Sequence, residues 1–162
     1  MAGFHPGLLS GLVLAGSNQP VQPDRDDGIL TALEVSELDL AKAELAVLSA
    51  CETGLGETTG GEGLLGLQRA FQMAGARSVV AGLWKVPDRG TQVLMQRFYD
   101  NLWRKNMGKL EALHEAQLWM LREGETVPGV IRGLGFVDAP PVKDGRLPPF
   151  YWGAFALSGD WR

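Results

Sequence analysis

The sequence ELAVLSAC at residues 44–51 and the twelve residues after it, ETGLGETTGGEG at 52–63, decide the fold class. Residues 44–50 form a short, mostly apolar run, which is typical of a strand buried on both faces of a parallel sheet. Five glycines among residues 52–63 predict a loop. Cys51 therefore lies at the point where a buried strand gives way to a glycine-rich loop.

The residues beyond this loop predict a helix and a second strand. Apolar residues recur at helical spacing up to Gly75, a residue type that commonly ends helices, and these are Leu64, Leu67, Phe71 and Ala74. A second apolar run, SVVAGLWKV, follows at residues 78–86. The order strand, loop, helix, strand predicts a βαβ unit with two parallel strands, and hence an α/β fold.

Further elements are predicted on both sides of this unit. Leu38 and Leu110 are among the apolar residues that we expect to pack in the core. The predicted bounds are 8–16 for an extended segment, 29–40 for a short helix or turn, 91–105 and 109–122 for two amphipathic helices, 123–149 for an irregular excursion and 151–160 for a closing strand.

Chain length and net charge limit the number of domains and the kinds of binding partner that we expect. The 162 residues amount to about one domain, so residues 1–162 are predicted to form a single domain. The net charge of −4 gives no basis for nucleic-acid binding. The few clustered basic residues alternate with apolar ones and are interpreted as a solvated helix face; they are Arg97, Arg104, Lys105 and Lys109.

Cysteine usage and hydropathy point to the cytoplasm. A single cysteine excludes an internal disulfide and a zinc site built on paired cysteines, and it fits a reducing compartment. The apolar run at residues 11–16 is far too short to cross a membrane. No signal peptide, membrane association or cofactor is predicted.

Cys51 is the main candidate for chemistry. Ligand sites in open α/β sheets lie outside the carboxyl ends of strands, and glycines such as Gly54 and Gly56 let backbone N–H groups approach a developing oxyanion. The competing interpretation is that Cys51 is a small buried hydrophobe, as most free cysteines are. The residues alone leave both interpretations open.

Several segments in order along the chain resemble the CHAT domain, a caspase-like cysteine peptidase family related to separase and often attached to tetratricopeptide repeats. They include LSACETGLG at 48–56, GEGLLGLQRAF at 61–71, LWKVPD at 83–88 and YWGAF at 151–155. The resemblance implies a three-layer α/β/α sandwich with a mostly parallel sheet. It also implies that Cys51 is the nucleophile that forms an acyl-enzyme on a protein or peptide substrate.

The histidine base of that family usually lies in a His-Gly pair, and this pair is absent here. His5 and His114 are not followed by glycine, and His114 is interpreted as a helix-surface residue. We therefore predict an N-terminally incomplete domain that is inactive alone. A second copy or another chain is expected to cover the exposed sheet edge. The alternative is a non-catalytic interaction module or pseudo-peptidase subunit.

Substrate-binding residues are predicted in two segments. Trp84 lies near the end of the predicted second strand and Asp88 closes it, where the family places pocket walls, and Glu52 follows the nucleophile. A carboxylate at position 88 would pair with a basic side chain before the scissile bond. Asp88 could instead cap the helix predicted to start near Thr91. Glu52 belongs, with Glu57 and Glu62, to a group of loop carboxylates that we interpret as solvated charge and not as a metal site.

Overall fold

The computed structural model of the protein describes residues 10–20, 27–49, 62–126 and 144–162. It is a mixed α/β structure, as predicted, with five strands and five α-helices in the described ranges. The chain divides into two compact units, Met1–Ala81 and Gly82–Arg162. The two units are described in turn below.

The first unit contains the predicted βαβ arrangement. Its elements are β1 (Gly11–Val13), β2 (Ile29–Thr31), α1 (Ala32–Ser36), β3 (Ala46–Leu48), α2 (Glu62–Met73) and β4 (Ser78–Gly82), whose last residue begins the second unit. Strand β3 pairs with β4 in parallel, with Ala46 opposite Val79 and Leu48 opposite Ala81. Strands β1 and β2 form a separate antiparallel pair. The parallel pair and the helix between its strands are confirmed.

Helix α1 is short, and a capping box formed by Thr31 and Glu34 stabilises its first turn. The backbone N–H of Thr31 donates to Glu34 Oε2 at 2.8 Å, and the Thr31 hydroxyl accepts from the Glu34 N–H at 3.3 Å. Such a reciprocal cap satisfies two donors that a helix start leaves unpaired. The strand β2 directly before it was not predicted.

The core of the first unit lies between α1, α2 and the parallel strands. Its buried members are Ala32, Val35, Leu48, Leu67, Ala70, Val79 and Ala81. Val35 is fully buried, whereas Leu38, which was predicted to pack in the core, is 43% exposed. Strand β3 is also less covered than predicted, because only Leu48 of its three residues is buried.

The second unit is mainly helical. Its elements are α3 (Asp88–Tyr99), a π-helical turn (Asp100–Arg104), α4 (Lys109–Glu123), a 3₁₀ turn (Gly124–Thr126), α5 (Pro149–Trp152) and β5 (Phe155–Gly159). Helix α4 has the predicted bounds to within one residue. Helix α3 begins three residues earlier than predicted, and α5 occupies the start of what was predicted as the closing strand.

A polar network joins α3 to α4 through the π-helical turn. The Arg97 guanidinium pairs with the Glu115 carboxylate, with Nε to Oε2 at 3.0 Å. The fully buried Asn101 amide donates to Glu115 and to the Ala112 carbonyl, the latter at 3.0 Å, and accepts from Lys105 Nζ at 2.7 Å. The large majority of buried polar groups in proteins are paired in this way.

This network corrects the interpretation of the basic cluster as a solvated helix face. Arg97 is half-buried and ion-paired, and Lys109 is buried, with its Nζ donating to the Asp160 carbonyl at 3.3 Å. Only Arg104 and Lys105 lie exposed as predicted. The alternation of charged and apolar residues along the chain gave no indication that Arg97 of α3 would pair with Glu115 of α4.

Replacing Gly75 by alanine is expected to lower the free energy of unfolding by roughly 1–3 kcal/mol. Gly75 follows α2 with φ +106°, and a Cβ there would lie 2.9 Å from the Ala41 backbone nitrogen. Gly16→Ala is the matched control, because Gly16 has φ +100° but no atom within 4 Å of such a Cβ. Urea denaturation should show the larger loss for Gly75→Ala, and equal losses would exclude the steric contribution.

Glu115→Gln is expected to flatten the acid side of the stability–pH curve. Hydrogen bonding to Arg97 lowers the pKa of the Glu115 carboxyl against an opposing effect of partial burial, and Asn101 adds to the lowering. A lowered folded-state pKa gives stability that is complete above the unfolded pKa and is lost as the pH falls through the folded one.

Urea denaturation between about pH 3 and 7 measures this effect. The stability of Glu115→Gln should fall less on acidification than that of the unchanged chain. Glu123→Gln, at an exposed position of the same helix, is expected to keep the original slope. Parallel curves for the unchanged chain and Glu115→Gln would contradict the prediction.

Candidate functional site

The parallel register of β3 and β4 sets the frame for the predicted nucleophile. Leu48, the last residue of β3, is opposite Ala81, the last but one of β4. The chain therefore leaves both strands at the same edge of the pair. The end of β3 lies three residues before Cys51. Cys51 itself lies outside the described residues, as do His5, Glu52, Gly54 and Gly56. Their predicted roles stay predictions.

Trp84, on the segment directly after β4, is fixed by contacts within the second unit. Its indole Nε1 donates to the Phe150 carbonyl at 2.9 Å, across 66 residues of sequence. The adjacent Leu83 N–H donates to the Ala154 carbonyl at 2.6 Å. The Trp84 ring also lies against the turn after α5, since its Cη2 is 3.7 Å from where a Cβ of Gly153 would be. The side chain nevertheless stays 38% exposed.

Asp88 is the first residue of α3 and points into solvent. The helix is preceded by Pro87 as its N-cap, and no side chain caps it. The interpretation of Asp88 as the cap of a helix starting near Thr91 is therefore wrong. The structure gives its carboxylate no hydrogen bond or ion pair to any residue in the described ranges. A carboxylate in the first turn of a helix is favoured by the helix dipole, and it is free to meet a cation.

The α5 turn is a feature of this region that the sequence analysis missed. Tyr151 is buried, and the Trp152 indole donates to the Leu147 carbonyl at 2.9 Å. Leu147 in turn donates its N–H to the Leu121 carbonyl at the end of α4. Pro149 at the first helical position was a usable signal, because proline is enriched there.

An apolar groove of about 930 Å³ lies elsewhere on the second unit. It is lined by the start of α4, by β5 and by the last two residues, including Leu110, Leu113, Leu157 and Trp161. Leu110 is 49% exposed, so the expectation that it packs in the core is wrong, and Trp161 is 58% exposed. His114 is exposed at this groove, as expected for a helix-surface residue.

The described part of the chain gives no cluster of three or more metal-ligating side chains. The side chains of Glu52, Glu57 and Glu62 fall outside what the structure describes. Among the described helices, none has the length and apolar character needed to span a membrane.

Comparison with known proteins gives the family. The CHAT domain family model matches residues 3–160. Tetratricopeptide repeat protein 28 from Mus musculus is 38% identical over 74 residues, which is 46% of this chain and 3% of that protein. The protein of the same name from Homo sapiens is 33% identical over 94 residues, or 51% of this chain and 4% of its own length. No solved structure matches significantly. The chain belongs to the CHAT domain family.

Proposed function

We propose that this CHAT-family chain is part of a cysteine-type endopeptidase domain of caspase-like kind, with Cys51 as its nucleophile. The observation that carries the proposal is the register of β3 and β4, because it ends a parallel strand three residues before the cysteine. Reactive groups in open α/β sheets are placed at such strand ends. The proposed architecture is one three-layer α/β/α domain over residues 1–162, and a lone cysteine suits a cytoplasmic location.

The chemistry requires an activated thiol and donors for an oxyanion. The Cys51 thiolate attacks the scissile carbonyl carbon, and the negative charge moves to the carbonyl oxygen. Backbone N–H groups near Gly54 and Gly56 are suited to stabilise it, since glycine allows close approach. The amine leaves with a proton from the base, and water then releases the acyl group and regenerates the thiol.

The base is proposed to come from outside these 162 residues. Neither histidine of the chain is followed by glycine, and His114 stands on an exposed face of α4. Without a base, a thiol with a pKa near 8.5 is only a few per cent thiolate at neutral pH. The partner that brings the base, whether an upstream segment, a second copy or another chain, would also cover β3. Among the described strands, β3 pairs with β4 alone.

A non-catalytic binding module is the second candidate. It is favoured by the apolar groove in the second unit, where large side chains such as Leu110 and Trp161 are exposed. Exposed apolar surface of this kind often marks a site of protein association. The two curated relatives are named for tetratricopeptide repeats, and a binding role would suit a protein with such repeats.

The proposed substrate is a protein segment with a basic residue before the scissile bond. Asp88 is the exposed carboxylate after β4, and Trp84 and Glu52 complete the predicted pocket walls. A charge-assisted pair between Asp88 and an arginine or lysine would fix the substrate in register.

The test of the nucleophile compares two forms of the protein. The chain alone is expected to leave peptides uncut, and its Cys51 thiol should react with iodoacetamide along a pH curve with a midpoint near 8.5. Joined to a segment carrying the family's His-Gly pair, it should cut peptides and lose at least about a thousandfold in kcat as Cys51→Ala. Undiminished cleavage by Cys51→Ala would contradict the assignment, and no cleavage by the joined form would favour the binding module.

Asp88→Asn in the joined form tests the substrate preference. Loss of one charge-assisted pair should lower kcat/KM for peptides with arginine or lysine before the cut by roughly tenfold or more. Peptides with an uncharged residue there should be cut at an unchanged rate. Asp100→Asn, a half-exposed carboxylate directly after α3, is the control. Equal turnover of acidic and basic peptides would overturn the preference.

A further inference from the structure

The apolar groove of the second unit combines buried and exposed side chains. Leu113 of α4 and Phe155 of β5 line it and are buried, so they belong to the core of the unit as well. Leu110 and Trp161 line the same groove but stay largely exposed. Water contact with such large apolar groups is unfavourable, and a contiguous apolar surface of this kind marks a place of association.

Hydrogen bonds join the three walls of the groove, which are the start of α4, β5 and the last two residues. The Leu110 N–H donates to the Trp161 carbonyl at 3.1 Å, which pairs one of the donors that a helix start leaves open. Gln117 Nε2 of α4 donates to the Phe155 carbonyl of β5 at 2.9 Å. The groove is therefore formed before any partner arrives, and binding there costs little ordering of the chain.

The charged side chains of the groove are one acid and one base on different walls. Glu111 stands on α4, and its carboxylate makes no hydrogen bond or ion pair within the part of the chain that the structure describes. The Arg162 guanidinium is mostly exposed, with its Nε 3.8 Å from Asp160 Oδ1. A partner of one sign would meet attraction at one wall and repulsion at the other. The matching partner carries apolar groups and both signs of charge.

A second copy of the chain has this composition by necessity. In a two-fold symmetric interface the same surface is used twice, so that a contact of residue i with residue j is repeated as a contact of j with i. Glu111 of each copy would then face Arg162 of the other, which gives two ion pairs. Leu110 and Trp161 of both copies would be removed from water together.

The size of the groove limits how strong such a dimer can be. Eleven residues line it. A stable interface of standard size uses roughly 20–30 residues on each side. The groove therefore belongs with the small interfaces of transient complexes, for which we expect a dissociation constant of roughly 1–100 µM.

We propose that this groove is the interface of a weak, two-fold symmetric dimer of the chain, with Glu111 of each copy paired to Arg162 of the other. The inference goes beyond the proposed peptidase and does not rest on it. It also differs from the covering of β3 proposed above, because the groove lies wholly in the second unit and β3 lies in the first.

Sedimentation velocity of the chain at about 1–500 µM measures the association. The chain is expected to pass from monomer to dimer within this range. A reducing buffer keeps Cys51, the one cysteine of the chain, from forming a disulfide between copies. Cys51→Ala should give the same dissociation constant, because the thiol has no part in the interface.

Two substitutions test the apolar part of the interface. Trp161→Ala and Leu110→Ala should each raise the dissociation constant at least about tenfold, since one substitution removes two side chains from the dimer. The hydrogen bond between these two residues joins backbone atoms, so both variants keep it. Trp103→Ala is the control, because Trp103 is an exposed tryptophan of the same unit that does not line the groove.

Charge reversal tests the two-fold arrangement. Glu111→Arg alone and Arg162→Glu alone each place like charges opposite one another twice in the dimer, and each should weaken association by roughly three- to tenfold. The double variant restores opposite charges and should recover most of the loss. Glu123→Arg, at an exposed position of α4 outside the groove, should leave the dissociation constant unchanged.

Each failure has a distinct meaning. A chain that stays monomeric throughout the range overturns the proposal, and this result needs no variant to fold. A dimer that is indifferent to Trp161→Ala and Leu110→Ala uses another surface and overturns it as well. Absence of recovery in the double charge reversal excludes the two-fold pairing. A monomer that binds octyl glucoside only with Trp161 intact would assign the groove to a small apolar ligand instead. The peptidase proposal is tested by cleavage and stands or falls separately.

Discussion

The parallel pairing of β3 and β4 is the constraint on which the rest of the first unit depends. Parallel strands need a crossover, and α2 supplies it, ending in the left-handed conformation of Gly75. The turn is held from outside as well, because the Leu40 N–H donates to the Ala74 carbonyl and the Arg77 N–H donates to the Ala43 carbonyl. These contacts fix where β4 starts, and so they fix the edge at which both strands end.

The position of Trp84 in the second unit depends on contacts made at long range. Trp84 follows β4 in sequence, yet its orientation is set by residues 150–153 near the end of the chain. Those residues are held in turn by Leu147 and the end of α4. A wall of the proposed site is thus built from residues far apart in sequence, which gives it a stiffness that a loop between β4 and α3 would lack by itself.

The elements that could be predicted from the sequence are those governed by local physics. Apolar periodicity predicted α2 and α4, and the backbone freedom of glycine predicted the stop at Gly75. Helix α5 could not be found this way, because four residues show no periodicity. The exposure of Leu110 and Trp161 depends on tertiary packing, which no local pattern contains. For the site, the sequence indicated Trp84 and Asp88, but only the structure supplied Phe150 and Gly153 as partners of the indole.

The π-helical turn at Asp100–Arg104 limits the insertions and deletions that this part of the chain can accept. Its N–H of Lys105 reaches back five residues to the Asp100 carbonyl, so the turn accommodates one residue more than an α-helical one. That extra residue lies in a stretch whose side chains make specific contacts. The Asn101 amide donates to the Ala112 carbonyl and to Glu115, and the Trp103 ring stacks on Tyr99 with 4.6 Å between ring centroids. Removing a single residue here would rotate everything downstream by about 100° relative to α3. The segment should therefore accept substitutions more readily than insertions or deletions.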